Sequence, residues 1–418
     1  MNVAVIGGGV SGLVTAYLLQ REHRVELFER ERRAGGHANT VVIEGPSGEA
    51  LPLDVGFIVY NERTYPAFTR LLAELEVETQ PSEMSFSLRD ERTGLEFSSR
   101  GARGYLAQRR NALNPRHIQL LLELLRFHRD ARRAIARDTM HDVSFGEYLD
   151  RKHFSRHFQE RLIVPLTAAT WSNAPADIVR FPANYLFRFL EQHGILAPNS
   201  IPDWRWLRGG SRSYVQKILS TLSEGAIHLG EAPSRIERAL DGVTITFGGH
   251  LERRFDAVVL ACHPDQALSL LADPSSEEVE ALSGFRYAPN RVVLHTDERL
   301  LPRRSRARAS WNYLHAQDAD PAKLTMTYDL NRLQRMVGDT HYCVSVNPGD
   351  RVDPARVLAE FDYEHPVYSM ATLEAQRRIE RINGARRTFF AGAYLGYGFH
   401  EDGVQAGARV ASKLGVDW

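Results

Sequence analysis

The sequence contains few cysteines, few lysines and no long hydrophobic run. Its 418 residues include two cysteines, Cys262 and Cys343. They form neither a CxxC pair nor a zinc-ligand pattern, so neither a disulfide framework nor a metal site is expected. No run of about 18 apolar residues occurs, so no membrane-spanning helix is expected. The apolar N-terminus lacks the basic stretch of a signal peptide, and we expect a cytoplasmic protein.

An excess of charge of either sign is also missing. The chain carries 52 Lys and Arg against 52 Asp and Glu. Domains that bind nucleic acid are usually basic, so we expect no nucleic-acid partner. A hydrophobic fraction of 43% and a charged fraction of 25% are ordinary for a globular protein. The length predicts two or three domains.

The basic residues are nearly all arginines, and many of them fall in two segments. Residues 100–137 hold ten arginines against two acids, Glu123 and Asp130, with the apolar spacing of an amphipathic helix. Residues 299–308 form a second cluster. Two interpretations remain open: contact with an anionic lipid surface or a partner, or solvated arginines in an arginine-biased genome.

A glycine-rich turn stands near the start of the chain, between a predicted strand and a predicted helix. Gly7, Gly9 and Gly12 follow the pattern GxGxxG, with Ser11 inside it. The first glycine permits the tight turn, the second lets a pyrophosphate approach the backbone, and the third lets the helix pack on the strand. The pattern predicts a dinucleotide whose phosphates lie at the start of this helix.

The next predicted strand, residues 25–29, ends in an acid. Glu29 lies 22 residues after Gly7, where a carboxylate can accept a hydrogen bond from a ribose hydroxyl. Arg30 follows it and is included in the candidate cofactor site. The glycines and the acid together predict a nucleotide-binding βαβ unit.

Two further segments carry a family resemblance. Residues 29–40 contain Gly35, Gly36 and His37, and residues 54–57 contain Gly56 and Phe57. Both segments resemble motifs of the FAD-dependent amine oxidase and phytoene desaturase superfamily. The resemblance implies that the glycine pair meets the FAD phosphates and that Gly56 and Phe57 lie beside the flavin. His37 stands where most members carry arginine.

The resemblance continues toward the C-terminus. Residues 227–236 look like the strand pair that meets adenine, with Pro233 offering only its carbonyl oxygen. Residues 390–393, with Gly392, look like the second cofactor strand. Residues 399–404 then open the last helix, where Gly403 and Val404 would face the flavin. The resemblance covers essentially the whole chain and implies FAD as the cofactor.

The implied fold class is α/β. A Rossmann-type, glutathione-reductase-like FAD-binding domain would be interleaved with an α+β substrate domain. The FAD-binding domain is assigned to residues 1–62, 206–270 and 385–418, and the substrate domain to residues 63–205 and 271–384.

Several phrases resemble a narrower subfamily of flavoproteins. They are residues 35–40, 80–86, 263–268, 310–313, 331–334 and 396–403. Members of this subfamily are associated with cyclopropane fatty-acid synthases and, in plants, are fused to them. The resemblance implies an FAD-dependent oxidoreductase that desaturates or dehydrogenates a hydrophobic substrate by hydride transfer to flavin N5. A methyl-branched or cyclopropane fatty-acyl chain would be such a substrate.

Other functions remain open. The chain could be an amine oxidase, a non-catalytic flavoprotein partner of a lipid-modifying methyl-transfer enzyme, or a catalyst of redox-neutral flavin chemistry. The acyl-lipid interpretation adds a peripheral contact with the anionic inner face of the membrane.

His400 and Tyr397 are the candidate catalytic residues. His400 stands just before the predicted flavin-facing turn, where it would contact substrate, tune the flavin or merely cap the helix. Tyr397, with Tyr394 and Phe399, would either form a wall of the flavin face or pack in the core. We expect a hydrophobic tunnel that reaches the flavin near Tyr397 and His400 and opens on the arginine-rich side.

Overall fold

The computed structural model describes residues 1–138, 140, 142–197, 202–318, 320 and 322–418. The strands in this part of the chain are β1 (Asn2–Ile6), β2 (Arg24–Glu29), β3 (Thr40–Glu44), β4 (Ala50–Asp54), β5 (Tyr60–Asn61), β6 (Thr79–Pro81), β7 (Phe86–Asp90), β8 (Leu95–Ser98), β9 (Trp204–Leu207), β10 (Ile227–Leu229), β11 (Pro233–Ala239), β12 (Gly242–Phe247), β13 (Leu251–Phe255), β14 (Ala257–Leu260), β15 (Arg286–His295), β16 (Trp311–His315), β17 (Met326–Asp329), β18 (Cys343–Val346), β19 (Val357–Val367) and β20 (Thr388–Phe390). The α-helices are α1 (Val10–Leu19), α2 (Pro66–Glu74), α3 (Gly101–Tyr105), α4 (Pro115–Arg137), α5 (Phe145–Arg151), α6 (Arg156–Phe158), α7 (Val164–Trp171), α8 (Pro175–Ile178), α9 (Ala183–Gln192), α10 (Arg212–Thr221), α11 (Pro264–Leu270), α12 (Ser276–Leu282), α13 (Leu330–Leu333), α14 (Met370–Ile382) and α15 (His400–Lys413).

A five-stranded parallel sheet organises one half of the molecule, in the order β10-β2-β1-β14-β20. Its strands come from three widely separated stretches of the chain. β1 and β14 are almost wholly buried, as parallel strands covered on both faces must be. Helices α1 and α15 cover one face, and the antiparallel sheet β11-β12-β13 covers the other. The predicted α/β class with a Rossmann-type sheet is confirmed, whereas the domain boundaries stay a prediction.

A seven-stranded sheet organises the other half, in the order β19-β15-β18-β17-β16-β7-β8. Adjacent strands are antiparallel except for the parallel pair β7 and β16. Helices α4 to α9 share its hydrophobic core, where Phe127 packs its ring against Phe145, Tyr148 and Phe187. For α5 to α9, sequence patterns predicted only a mixed region with several aromatic residues, because these helices are short.

The long helix predicted for residues 115–137 is present as α4. Asn114 caps its first turn by accepting a hydrogen bond from the Arg116 amide at 3.1 Å. Buried residues such as Leu120 and Phe127 form its inner face, while its outer face is exposed. Among the described residues, no helix combines the length and apolar character needed to cross a bilayer.

Candidate cofactor and substrate site

A cavity of about 1770 Å³ extends from the parallel sheet to the helices of the second half. Glycine-rich turns that follow β1 and β2 line one end, and apolar side chains of α3, α4 and α7 line the other. The predicted cofactor residues found in its wall are Gly7, Gly9, Ser11, Glu29, Arg30, Gly35, Gly36, His37, Gly56, Phe57, Pro233 and Gly392. Gly12, Gly403 and Val404 lie outside the wall.

The first glycine turn combines tight packing with one open position. Gly7 has φ of 109°, and a Cβ there would lie 2.7 Å from the Ala261 carbonyl oxygen. A Cβ on Gly12 would overlap the Gly7 carbonyl oxygen, so α1 packs directly on the turn. A Cβ on Gly9 would meet no atom within 4 Å. No side chain caps α1, so its first amides are open to an anion in the cavity.

Glu29 is held in place at the end of β2 by two backbone amides. Its Oε2 accepts a hydrogen bond from the Gly8 amide at 2.7 Å, and its Oε1 accepts one from the Glu31 amide at 2.8 Å. Each carboxylate oxygen keeps a further lone pair for a ligand hydroxyl. Pro233 borders the same end of the cavity, where its carbonyl is available to an adenine base.

The second glycine pair packs against the first turn. The Gly35 amide donates to the Gly8 carbonyl oxygen at 2.7 Å, and Gly35 and Gly36 have φ of 117° and 56°. A Cβ on Gly36 would lie 3.3 Å from the Gly9 Cα. Two glycine loops therefore form one side of the cavity, and a larger residue would separate them.

His37 places an unpaired polar atom at this end of the cavity. Its ring stacks on Tyr363 with centroids 4.7 Å apart and meets the edge of His365 at 5.2 Å. Its buried Nε2 has no hydrogen-bond partner within the described residues. Burial lowers the pKa of His37 well below its usual value. It also lowers the pKa of His365, to about 4. An unpartnered polar atom in the cavity wall is available to a polar group of a ligand.

A second helix begins at the same cavity. Gly403 of α15 packs against Val10 of α1, and Gly407, one turn later, packs against Val14 and Thr15. The two helices therefore run side by side in the same direction, and both N-termini face the cavity. Gly403 and Val404 serve this helix contact rather than the cavity wall: Val404 is fully buried with Val10 and Leu13.

These residues fit FAD. The open amides of α1 would hold the diphosphate, Glu29 the adenosine ribose, and the Gly56–Phe57 segment with the start of α15 the flavin ring. Phe57 is tied to the second glycine loop because its amide donates to the His37 carbonyl oxygen at 2.8 Å.

The two candidate catalytic residues, His400 and Tyr397, lie in different surroundings. His400 is the first residue of α15 and borders the cavity. Its ring stacks on Phe57 with centroids 3.5 Å apart, and its Nε2 lies 3.0 Å from the Tyr214 hydroxyl. Burial lowers the pKa of His400 to about 3, so its imidazole is neutral. Tyr397 is not in the cavity wall: its ring packs on Tyr185 at 4.4 Å, and its carbonyl oxygen accepts from the Trp171 indole at 3.0 Å. Its catalytic role is not supported by this position.

Phe399 and Tyr394 do border the cavity. Phe399 belongs to an aromatic group with Trp171, Phe189 and His193, all of which also border it. Sequence reasoning missed the last three. These residues lie on or beside α7 and α9, and no local sequence motif marks them. The only signal in the sequence was the number of aromatic residues in this region.

The far end of the cavity is a mainly apolar chamber. Its walls include Met84, Phe86, Ala102, Tyr105, Leu106, Leu121, Leu124, Leu125, His128, Leu162 and Leu166. The chamber reaches the arginine-rich helix α4. The expected tunnel past both Tyr397 and His400 is wrong for Tyr397, which lies outside the cavity wall, and its opening on the arginine-rich side stays a prediction.

One protein-family model matches most of the chain. Residues 10–311 match the family model of flavin-containing amine oxidoreductases. No curated protein sequence matches the chain.

Solved structures share the fold over nearly the full length. A mutant of putrescine oxidase is similar with 14% identity, a TM-score of 0.70, and coverage of 99% of this chain and 98% of its own. Cyclohexylamine oxidase from Brevibacterium oxydans is similar with 16% identity, a TM-score of 0.69, and 99% coverage of both chains. A fatty acid isomerase from P. acnes is similar with 13% identity, a TM-score of 0.65, and 98% coverage of both.

Proposed function

Because the chain belongs to the family of flavin-containing amine oxidoreductases and is an FAD-dependent oxidoreductase, we propose that it dehydrogenates a hydrophobic substrate such as a fatty-acyl chain. FAD would accept the hydride at flavin N5. The single observation that carries the substrate class is the apolar chamber at the far end of the cavity.

The chamber contains no acidic side chain among the described residues. Four acids border the whole cavity. Glu29 and Glu31 lie at the nucleotide end. Asp362 and Glu364 are exposed positions of β19 that alternate with the cavity-facing side chains on that strand. A cationic amine would find no carboxylate in the chamber, whereas an acyl chain would bury its methylene groups at about 0.8 kcal/mol each.

The second hydrogen of a dehydrogenation leaves as a proton, and our candidate acceptor is His193, which borders the cavity. Its Nδ1 lies 3.0 Å from the Phe189 carbonyl oxygen, which assigns the ring proton to Nδ1 and leaves Nε2 as the basic nitrogen. Burial lowers the pKa of His193 to about 4, so the ring is neutral near pH 7 and its Nε2 carries no proton. The rings of Phe189 and Phe399 pack beside His193, with centroids 3.9 Å and 6.0 Å from its own.

Anaerobic flavin reduction tests the substrate class. The purified holoenzyme would be mixed with a panel of acyl lipids and a panel of amines while flavin absorbance is followed. We expect an acyl lipid to reduce the flavin. The variant Leu124→Arg, which places a charge in the chamber, should prevent this reduction. The control variant Leu251→Arg, on an exposed position of β13, should leave the reduction intact. Reduction by amines alone would establish the alternative, amine oxidation, which the aromatic group around Phe399 favours. Turnover by the isolated chain would exclude a purely non-catalytic role.

His193→Gln tests the proton acceptor. Glutamine can still donate a hydrogen bond but is not a base, so we expect flavin reduction to slow by about 100-fold or more with FAD binding unchanged. An unchanged reduction rate would reject this role.

A further inference from the structure

We propose that the surface around the chamber mouth docks on an anionic phospholipid bilayer, so that the mouth opens toward the lipid. The surface, called the mouth surface below, consists of the exposed side chains of residues 103–133 and 303–306. Docking is a binding property and does not depend on which substrate the enzyme oxidises.

Large exposed apolar side chains are concentrated on this surface. Five fall within 20 consecutive residues: Leu106, Leu113, Ile118, Leu122 and Leu125. Leu113 is 87% exposed and Leu122 is 62% exposed. On α4, positions 118, 122 and 125 follow the spacing i, i+4, i+7 and therefore form one stripe. The buried residues of α4 lie on its other side, so this stripe contributes nothing to the core.

The apolar stripe is continuous with the chamber wall. Leu106 and Leu125 are exposed at the surface and also border the cavity. Leu121 and Leu124, on the adjoining side of α4, lead inward. An acyl chain that leaves a bilayer at this point would pass along apolar side chains from the surface into the chamber. A solvent-facing mouth would instead require the chain to cross water.

Unpaired arginines surround the stripe. Arg103, Arg109, Arg116, Arg132 and Arg133 are exposed, and none forms an ion pair with a carboxylate in the described part of the chain. The two local acids are engaged elsewhere: Glu123 accepts hydrogen bonds from Ser155, and Asp130 pairs with Arg129. The whole chain has no net charge, so this local excess of positive charge is a real asymmetry.

The second arginine cluster joins the same surface. Ser98, at the end of β8, donates to the Arg306 carbonyl oxygen at 3.1 Å, and Glu96 on the same strand accepts from the amides of Arg303 and Arg304 at 3.0 Å. Strand β8 leads within a few residues into α3 at the mouth. Two clusters about 200 residues apart in the sequence thus lie on one side of the fold. An apolar stripe surrounded by cations is the pattern that anionic lipid surfaces bind.

Vesicle co-sedimentation of the holoenzyme tests the proposal. Vesicles of phosphatidylcholine alone would be compared with vesicles that also contain phosphatidylglycerol, at low and high salt. We expect binding to the anionic vesicles, weakened by salt. Arg132→Gln with Arg133→Gln should weaken it by about 25-fold, because each engaged arginine contributes about fivefold. Leu122→Asp should weaken it further at both salt concentrations, whereas Leu251→Asp, on the exposed strand β13, should leave it unchanged.

Three results would overturn the proposal: no binding by the wild-type chain, equal binding to neutral and anionic vesicles, or variants that bind as well as wild type. Light scattering of the protein without vesicles measures its oligomeric state. If the wild-type chain is a dimer and Leu122→Asp dissociates it, the mouth surface is an interface between two copies of the chain. Flavin reduction by a water-soluble acyl substrate should not change in Leu122→Asp, which separates a failure of docking from a failure of the proposed function.

Discussion

Two glycines of one turn can be required for opposite reasons, and Gly9 and Gly12 allow the two reasons to be separated by experiment. A side chain at Gly9 would extend into open cavity, so Gly9→Trp should fold normally but lose FAD. A side chain at Gly12 would overlap the Gly7 carbonyl oxygen, so even Gly12→Ala should lower the free energy of unfolding. Circular dichroism and release of the bound nucleotide measure the two effects. FAD retained by folded Gly9→Trp would show that the diphosphate lies elsewhere.

Glu29 offers a second test at the scale of one residue. Its carboxylate is fixed by the amides of Gly8 and Glu31 and has lone pairs left for a ribose hydroxyl. Glu29→Ala should weaken FAD binding by about 1–3 kcal/mol if one charge-assisted hydrogen bond is lost. Titration of the deflavinated protein with FAD measures this, and FMN, which lacks the adenosine ribose, serves as the control. An unchanged dissociation constant would contradict the assignment.

The positions of Tyr397 and Phe399 show where sequence reasoning stops at this scale. Both aromatic residues stand before the same helix, and the sequence gives no reason to separate them. Gly398 between them has φ of 92°, and this left-handed residue turns the chain so that Phe399 faces the cavity while Tyr397 faces Tyr185. A side-chain direction set by one backbone angle cannot be deduced from residue type.

At the scale of elements, Asp54 connects the β3–β4 hairpin to the start of α10. Its Oδ1 accepts hydrogen bonds from the Thr40 hydroxyl at 2.6 Å and from the amide and hydroxyl of Ser211, both at 2.8 Å. Its Oδ2 has no hydrogen-bond partner among the described residues. Burial raises the pKa of Asp54 from 3.8 to about 6, against the opposing effect of these hydrogen bonds and of Arg212.

This raised pKa predicts a pH dependence of stability. Between about pH 4 and pH 6 the unfolded chain releases the Asp54 proton while the folded chain keeps it, so the contribution to stability falls as pH rises through this window and is constant above it. The loss is roughly 3 kcal/mol at most. Denaturant unfolding of wild type and Asp54→Asn across this range measures it as a difference. Parallel pH curves for the two proteins would contradict the prediction.

Elements with short-range signals were predictable, and elements defined by long-range packing were not. The βαβ unit with Gly7 and Glu29 is contained in 29 residues, and α4 carries its own cap and periodicity. The chamber has no such signal. Met84 lies in the loop between β6 and β7, Leu124 on α4 and Leu166 on α7. These segments meet only in the folded protein, and none of the three residues has a neighbour in sequence that marks it as a cavity residue.

At the scale of the whole molecule, the cofactor cavity joins segments from both ends of the chain. Gly9, His37, Pro233 and Gly392 all border it, so FAD would hold together parts that otherwise meet only through the sheet and the helix contacts. FAD at 100 times its dissociation constant should stabilise the fold by about 2.7 kcal/mol. Thermal melts of the holoenzyme and the deflavinated protein measure this, with Gly9→Trp as the control that should show no shift. Equal melting temperatures for the first two would contradict it.

The contact between α1 and α15 also bears on the synthesis of the protein. Gly403 and Gly407 cover a face of the N-terminal helix, and β1 pairs with β14, which lies some 250 residues later. During synthesis, β1 therefore lacks one of its two strand partners until β14 has been made, and this face of α1 stays uncovered until α15 has been made. Contacts this distant in sequence make folding slow. The unit of β1, α1 and β2 accordingly completes its contacts only after α15 has been made, and the part of the cavity wall that α15 supplies is absent until then.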